Sequence, residues 1–384
     1  MKKSIVYWSP CLTKVGTMKS TLNSAISLAK YSENYDVTIL NVFGEWTKFR
    51  GYLEKKNVRL KNLTFNYYNF LPKYGFFSSR FSYILIILIS ILSLIFFLKK
   101  NRPNYFIIHL ITSLPLFLIN IINFQTKVIL RISGYPKMNF LRKKLWVNSQ
   151  SKIYKITCPT NQLKEELINT CIFKPEKMDI LSDAIINIRD VVKKKNIPGL
   201  ENTEKIFKDY YLAAGRYTKQ KNFIYLIREF SKFTKLYPEE KLLIIGEGEQ
   251  KKKMEYEIDK LNLKKNIKLL EYTDNIFYFM KNAKAFILSS VWEEPGFVII
   301  EASFCNTFII SSNCKNGPEE FLENGSAGLL FDSNSNNKLF EKLKNHKNLD
   351  EDKIFKMKLS AKKNSKKFTI FNHFLSLNKI LHNY

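Results

Sequence analysis

The sequence predicts an α/β protein made of two doubly wound, parallel-sheet domains, and three observations carry that reading. A chain of 384 residues exceeds what one hydrophobic core usually supports. Strand-like apolar runs alternate with helix-like segments through both halves, as parallel sheets require. Between the halves, residues 187–205 are rich in lysine and asparagine and carry Pro198-Gly199, which marks a hinge. The expected domains are residues 1–187, joined by a C-terminal helix over 368–384, and residues 188–367.

In the first half, strands are expected at 4–8, 35–41, 105–109, 127–132, 155–158 and 178–181. In the second they are expected at 210–214, 241–245, 266–270, 285–288 and 307–311. Each is a short apolar run bounded by turn-forming residues. Residues 81–98 carry no charge and run into Lys99, Lys100 and Arg102. At about 18 residues, that stretch sits at the low edge for a membrane span. A span would split one sheet across a bilayer, so a buried helix or a shallow membrane contact is expected. Ahead of it lie Phe65, Tyr67, Tyr68, Phe70, Lys73, Tyr74, Phe76, Phe77 and Arg80. They read either as an interfacial docking surface or as a solvated loop over a satellite core. At the C-terminus, Phe371, Phe374, Leu375, Leu377 and Leu381 give helical apolar spacing.

Lysine and arginine outnumber the acids 62 to 34, a net charge of +28 that calls for an anionic partner. No zinc-finger spacing or arginine-rich arm appears, so no nucleic-acid role is expected. An anionic membrane surface and anionic small ligands remain. Cys11, Cys158, Cys171, Cys305 and Cys314 are scattered without a CxxC spacing, as in reduced cytosolic proteins. The apolar run after Lys2-Lys3 reaches Pro10 too soon for a signal peptide. The expected location is the cytoplasm, peripherally on the inner face of the membrane.

Chemistry concentrates in the second half. The run 285–288, then Ser289-Ser290, reads as a strand ending in a polar loop. Trp292-Glu293-Glu294-Pro295-Gly296-Phe297-Val298-Ile299-Ile300-Glu301 then reads as a turn opening a helix. Pro295 suits the first helical turn, and the amides of Gly296, Phe297 and Val298 would form an anion site. Glu301 falls on the apolar stripe of Phe297, Ile300 and Phe304, a costly place for a carboxylate unless something hydrogen-bonds to it. Upstream, Gly215-Arg216 and Lys221-Asn222 follow the 210–214 strand, setting two cations around a turn. The Gly246-Glu247-Gly248 turn has Lys251 where a dinucleotide fingerprint needs a third glycine, so it reads as a tight turn.

These segments resemble the E-x7-E and G-R-x-x-x-x-K-N motifs of family-four retaining glycosyltransferases, which have the GT-B fold. Asn306–Ser312, Gly317-Pro318-Glu319-Glu320, Asn324-Gly325 and Gly328–Phe331 continue the pattern. The resemblance implies two Rossmann-like domains facing a cleft, with a C-terminal helix crossing back to the first domain. It implies a nucleotide diphosphate sugar donor, UDP-linked, and transfer of a hexose-type sugar with retention to a lipid-linked glycan of a bacterial surface polysaccharide. Glu301 would hold the ribose, and Glu293 with the Gly296 and Phe297 amides the transferred sugar. Glu294 could share that role, since relatives have Gly there. Arg216 and Lys221 would grip the diphosphate, so no cofactor and no catalytic metal are expected.

In the first half, Lys14-Val15-Gly16-Thr17 resembles the family's glycine loop, which places Gly16 near the donor. His109 ends a central strand, and relatives use a histidine there against the donor sugar; otherwise it is a core histidine. Arg131 ends the next strand and would hold an acceptor phosphate. Asp350-Glu351-Asp352 matches a metal-binding D-x-D but lies in a lysine-rich stretch, and reads as a solvated face. Alternative functions are a nucleotide-sugar epimerase of the same fold, or a nonenzymatic basic adaptor at membranes.

Overall fold

Along the first strand, β1 (Lys3–Trp8), neighbouring side chains bury in opposite cores: Ile5 and Tyr7 on one face, Val6 and Trp8 on the other. A strand apolar on both faces needs a covering layer on each, which a parallel sheet with helices on both sides supplies. The computed structural model describes residues 2–12, 16–72, 76–198, 207–333 and 335–382. It divides into two compact units, Met1–Ala184 with Ile370–Tyr384, and Ile185–Thr369.

The first unit adds β2 (Tyr35–Asn41), β3 (Arg59–Asn62), β4 (Tyr105–Ile108), β5 (Lys127–Arg131), β6 (Ile153–Cys158) and β7 (Met178–Ile180). Their order is β3-β2-β1-β4-β5-β6-β7, with every pairing parallel. The order reverses between β1 and β4, the place where open α/β sheets bind ligands beyond their strand ends. The second unit holds β8 (Tyr210–Ala214), β9 (Lys241–Ile245), β10 (Ile267–Leu270), β11 (Ala285–Leu288), β12 (Phe308–Ser312) and β13 (Leu329–Phe331). Its order is β10-β9-β8-β11-β12-β13, again parallel, with the reversal between β8 and β11. Two short strands escaped the sequence reading. β3 is polar and largely exposed, so it shows no apolar run, and the apolar run of β13, Leu329–Phe331, is only three residues long.

The expected hinge needs correction. Residues 188–194 form the helix Ile188–Lys194, and its Val191 is buried in the second unit's core. Gly199 and residues 200–205 lie outside the described residues, as do Lys14, Val15, Lys73 and Tyr74. At the C-terminus, the helix Ile370–His382 packs on Gly16–Tyr31 through Phe374, Leu377 and Leu381, leaving Phe371 and Leu375 half-exposed. One contact the sequence did not suggest ties it down. His373 Nδ1 donates to the Ser182 carbonyl at 2.6 Å, while Nε2 lies 2.7 Å from the Ser24 hydroxyl.

The charge-free stretch forms the helix Phe76–Asn101, but it is not the fully buried helix that was one of the two expectations. Ser82, Ile86, Ser90, Leu94 and Leu98, every fourth residue, turn into the sheet. On the other side, Phe81, Ile84, Leu88, Leu92 and Phe96 are 58–69% exposed. Phe117 and Ile121 of the neighbouring helix Ser113–Ile121 are exposed as well. In the segment before it, Phe65 and Phe70 are exposed, whereas Tyr67 is buried and Tyr68 donates to the Leu12 carbonyl at 3.1 Å. Tyr67 and Tyr68 therefore belong to the core, packed around Phe43.

Candidate active site

Two loops at the β8 and β9 ends set the stage in the second unit. A Cβ on Gly246 would lie 1.9 Å from the Gly215 carbonyl oxygen, and one on Gly248 2.6 Å from that of Tyr217. Only glycine lets the turns approach so closely. The Tyr217 amide donates to the Glu247 carbonyl at 2.7 Å, and the Gln250 amide to the Tyr217 carbonyl at 3.0 Å. Gly246-Glu247-Gly248 is thus more than a tight turn: it clamps the loop that carries Arg216 and Lys221. The sequence offered the glycines but not their partner.

Gly215 has a second duty. A Cβ there would meet Lys221 Cε at 2.8 Å, so its absence lets the lysine stem cross the turn. Lys221 Nζ then reaches Glu293 Oε1 at 2.5 Å, with the two side chains only 13% and 8% exposed. Ser290 Oγ donates to the same carboxylate oxygen at 2.5 Å. The Ser289 hydroxyl holds the Lys221 carbonyl at 2.7 Å, and the Val291 amide holds that of Gln220 at 2.9 Å. Residues 72 positions apart are thereby joined at the β8–β11 reversal. Arg216, on the same loop as Lys221, stands exposed, without an ion-pair partner among the described residues.

Glu293 and Glu294 part company here. Glu293 is buried against Lys221, and the Glu294 side chain is exposed. The following helix, Phe297–Phe304, starts later than expected. Gly296 is its N-cap with φ +87°, a left-handed backbone that favours glycine, so Pro295 lies outside the helix rather than in its first turn. The Ile299 amide bonds to the Gly296 carbonyl at 3.2 Å, and the Phe297 and Val298 amides precede any intrahelical partner. Glu301 sits buried one turn on, with Ile300 and Phe304 buried beside it. Gly317 presses on this loop from the next helix start, where a Cβ would lie 2.2 Å from the Pro295 carbonyl oxygen.

In the first unit, Gly16 opens the helix Gly16–Tyr31, and His109 lies just beyond β4. Its Nδ1 is 3.2 Å from Thr21 Oγ1, and its Nε2 bonds the Ser133 hydroxyl. Burial and the nearby Arg131 charge push the imidazole down to about 3, so it is neutral at physiological pH. Both ring nitrogens are engaged by hydroxyls.

Arg131 requires correction. Rather than facing an acceptor phosphate, it is 6% exposed, with Nη2 2.6 Å from Asp183 Oδ1 and Nη1 donating to the Leu181 carbonyl at 3.1 Å. The Ser20 hydroxyl donates to the same Asp183 oxygen at 2.5 Å. Burial works against the Asp183 carboxylate, yet the Arg131 guanidinium and Ser20 hold it below the usual range. A guanidinium committed to a buried partner cannot also bind a solvent-borne anion without leaving that carboxylate unpaired. Asp183 and Ser20 were missed, because an aspartate after a short strand looks like any loop residue.

Asp350 also has a local explanation. It caps the helix Glu351–Ser365, its carboxylate accepting the Lys353 amide at 2.9 Å, while Glu351 and Asp352 occupy the first turn.

Residues 194–368 match the family model for glycosyl transferases group 1. That match lies within the second unit, Ile185–Thr369. The chain is 31% identical over 240 residues to an uncharacterized glycosyltransferase of Methanocaldococcus jannaschii, covering 59% of each chain. It is 32% identical over 206 residues to a Campylobacter jejuni enzyme, covering 53% of each. That relative is an N-acetylgalactosamine-N,N'-diacetylbacillosaminyl-diphospho-undecaprenol 4-alpha-N-acetylgalactosaminyltransferase. The chain thus spans between half and three-fifths of the length of these curated relatives. Among solved structures, Anabaena HepE in complex with UDP and glucose superposes over all of both chains with a TM-score of 0.73 at 14% identity. Likeness at that identity shows the fold: two Rossmann-like units of GT-B type, as the motifs implied. The second unit holds Arg216, Lys221, Glu293, Glu294, Gly296, Phe297, Val298 and Glu301, and His109, Gly16 and Arg131 belong to the first unit.

Proposed function

We propose that this chain transfers a hexose-type sugar, with retention, from a UDP-sugar to a lipid-linked glycan in bacterial cell-surface polysaccharide assembly (lipopolysaccharide, O-antigen or capsule). The observation that carries the reading is the buried Lys221–Glu293 pair beside an amide-bearing helix start. In it, Glu301 accepts the ribose hydroxyls, and Glu293 with the Gly296 and Phe297 amides holds the sugar. Arg216, Lys221 and the helix start stabilise the departing diphosphate where charge grows in the transition state, without a metal. The leaving phosphate oxygen takes the acceptor's proton on the face it departs from, and His109 lines the donor sugar as a neutral imidazole. The diphospho-undecaprenol acceptor in the Campylobacter relative's name and the UDP bound by Anabaena HepE support the choice of substrates.

Incubation of purified protein with a panel of nucleotide sugars and membrane lipid extract, read by mass spectrometry, tests this. The expected product is a glycolipid one hexose heavier, formed from a UDP-sugar only. An epimerised donor without acceptor, or transfer from GDP-sugars alone, would overturn it.

A membrane-bound acceptor requires the enzyme at the bilayer. The outward apolar face of Phe76–Asn101, ending in exposed Lys99 and Lys100, suits an anionic leaflet. Burying each large apolar side chain contributes about 1.5–3 kcal/mol, and each basic group near the surface roughly 1 kcal/mol. Replacing Leu88 and Leu92 together by aspartate is expected to abolish sedimentation with anionic vesicles while leaving UDP binding unchanged. Retained sedimentation would remove this face from the membrane.

A further inference from the structure

On the proposed reading of the donor site, we infer that Ser290 is a positioning residue that aims the Glu293 carboxylate at the transferred sugar. Oε1 of Glu293 carries both the Ser290 and the Lys221 bonds, each 2.5 Å, and Oε2 has no partner among the described residues. Two donors on one oxygen fix the carboxylate plane and leave the other oxygen as the acceptor that faces a sugar hydroxyl. Ser290 is itself immobile: it is fully buried, and the Ser312 hydroxyl donates to its carbonyl at 2.7 Å, tying the β11 end to β12.

The two donors differ in what catalysis asks of them. Lys221 also serves the departing diphosphate, so its bond to Glu293 weakens as negative charge grows on phosphate. Ser290 has no second anion to serve. Its hydroxyl keeps the buried Oε1 satisfied and the carboxylate oriented throughout. Ser290 and Glu293 are three positions apart on one loop, so the bond is local and needs no ligand to form it.

The test is a double-mutant cycle on the full-length chain. Ser290→Ala, which removes only the hydroxyl, is expected to lower kcat about tenfold, the loss of one charge-assisted bond, with UDP affinity and cooperative thermal unfolding retained. In a Glu293→Ala background, Ser290→Ala should add no further loss, since it acts through Glu293. A tenfold loss in both backgrounds, or a loss of UDP affinity in place of kcat, would make Ser290 merely structural and overturn the assignment. A Ser290→Ala enzyme as fast as an active wild type overturns the assignment alone. A wild type without transferase activity overturns the donor-site reading, and this assignment with it.

Discussion

Lys221→Ala is expected to lower sugar transfer at least about tenfold, the worth of one charge-assisted hydrogen bond to the leaving diphosphate. The substitution also strips Glu293 of its cation, and an ion pair broken on one side leaves an uncompensated buried charge. Ser290 still bonds Oε1, so the unit is expected to unfold cooperatively at a lower temperature rather than fail to fold. Glu301→Ala is expected to cost a similar factor by a different route. It removes a ribose contact made in ground and transition states alike, so KM for the donor rises and kcat changes little. Steady-state kinetics with the radiolabelled donor, alongside thermal unfolding, separates the two. Near-normal kcat/KM in both variants would remove the donor site from this unit.

Acidification is the second large effect. Burial holds His109 down to about 3 and His373 and His346 down to about 4; the Arg131 charge adds to the shift at His109 and His373, while Glu240 partly offsets it at His346. In the unfolded chain each imidazole takes a proton near pH 6.5 that the folded state refuses until pH 4 or lower. Between those values the unfolded state binds more protons, so stability falls as pH falls. At pH 5 each such histidine withdraws about 2 kcal/mol. The first unit holds His109 and His373 and so loses roughly 4 kcal/mol, against about 2 kcal/mol for the second unit through His346. Set against a typical 5–15 kcal/mol, the first loss is a large fraction. Urea unfolding between pH 7.5 and 4.5 is expected to show a steeper decline in the first unit, softened by His373→Asn. A pH-independent midpoint would contradict the neutral, buried state of these rings.

The long apolar helix shows why one segment stayed ambiguous in sequence. Both faces of Phe76–Asn101 are apolar, so periodicity carries no signal about which face meets the sheet. Only the packed strands settle that Ser82, Ile86 and Ser90 turn inward while Leu88 and Leu92 do not. Even small hydroxyls mark the buried side, because a serine lets the helix approach closely.

By itself the sequence determined the alternation of strands and helices, the two sheets, and the donor segment from Leu212 to Phe331. Those are local properties: a short apolar run, a glycine turn and a helix start lie within about a dozen residues of each other, so their chemistry is written contiguously. Tertiary structure alone decided that Lys221 lies on Glu293, that Gly246 and Gly317 are places where two backbones nearly touch, and that Arg131 is spent on Asp183. Each of those facts joins segments between 22 and 72 positions apart. No local propensity encodes such a meeting; it follows from the strand order, which brings the ends of β8 and β11, or of β5 and β7, to one edge of a sheet.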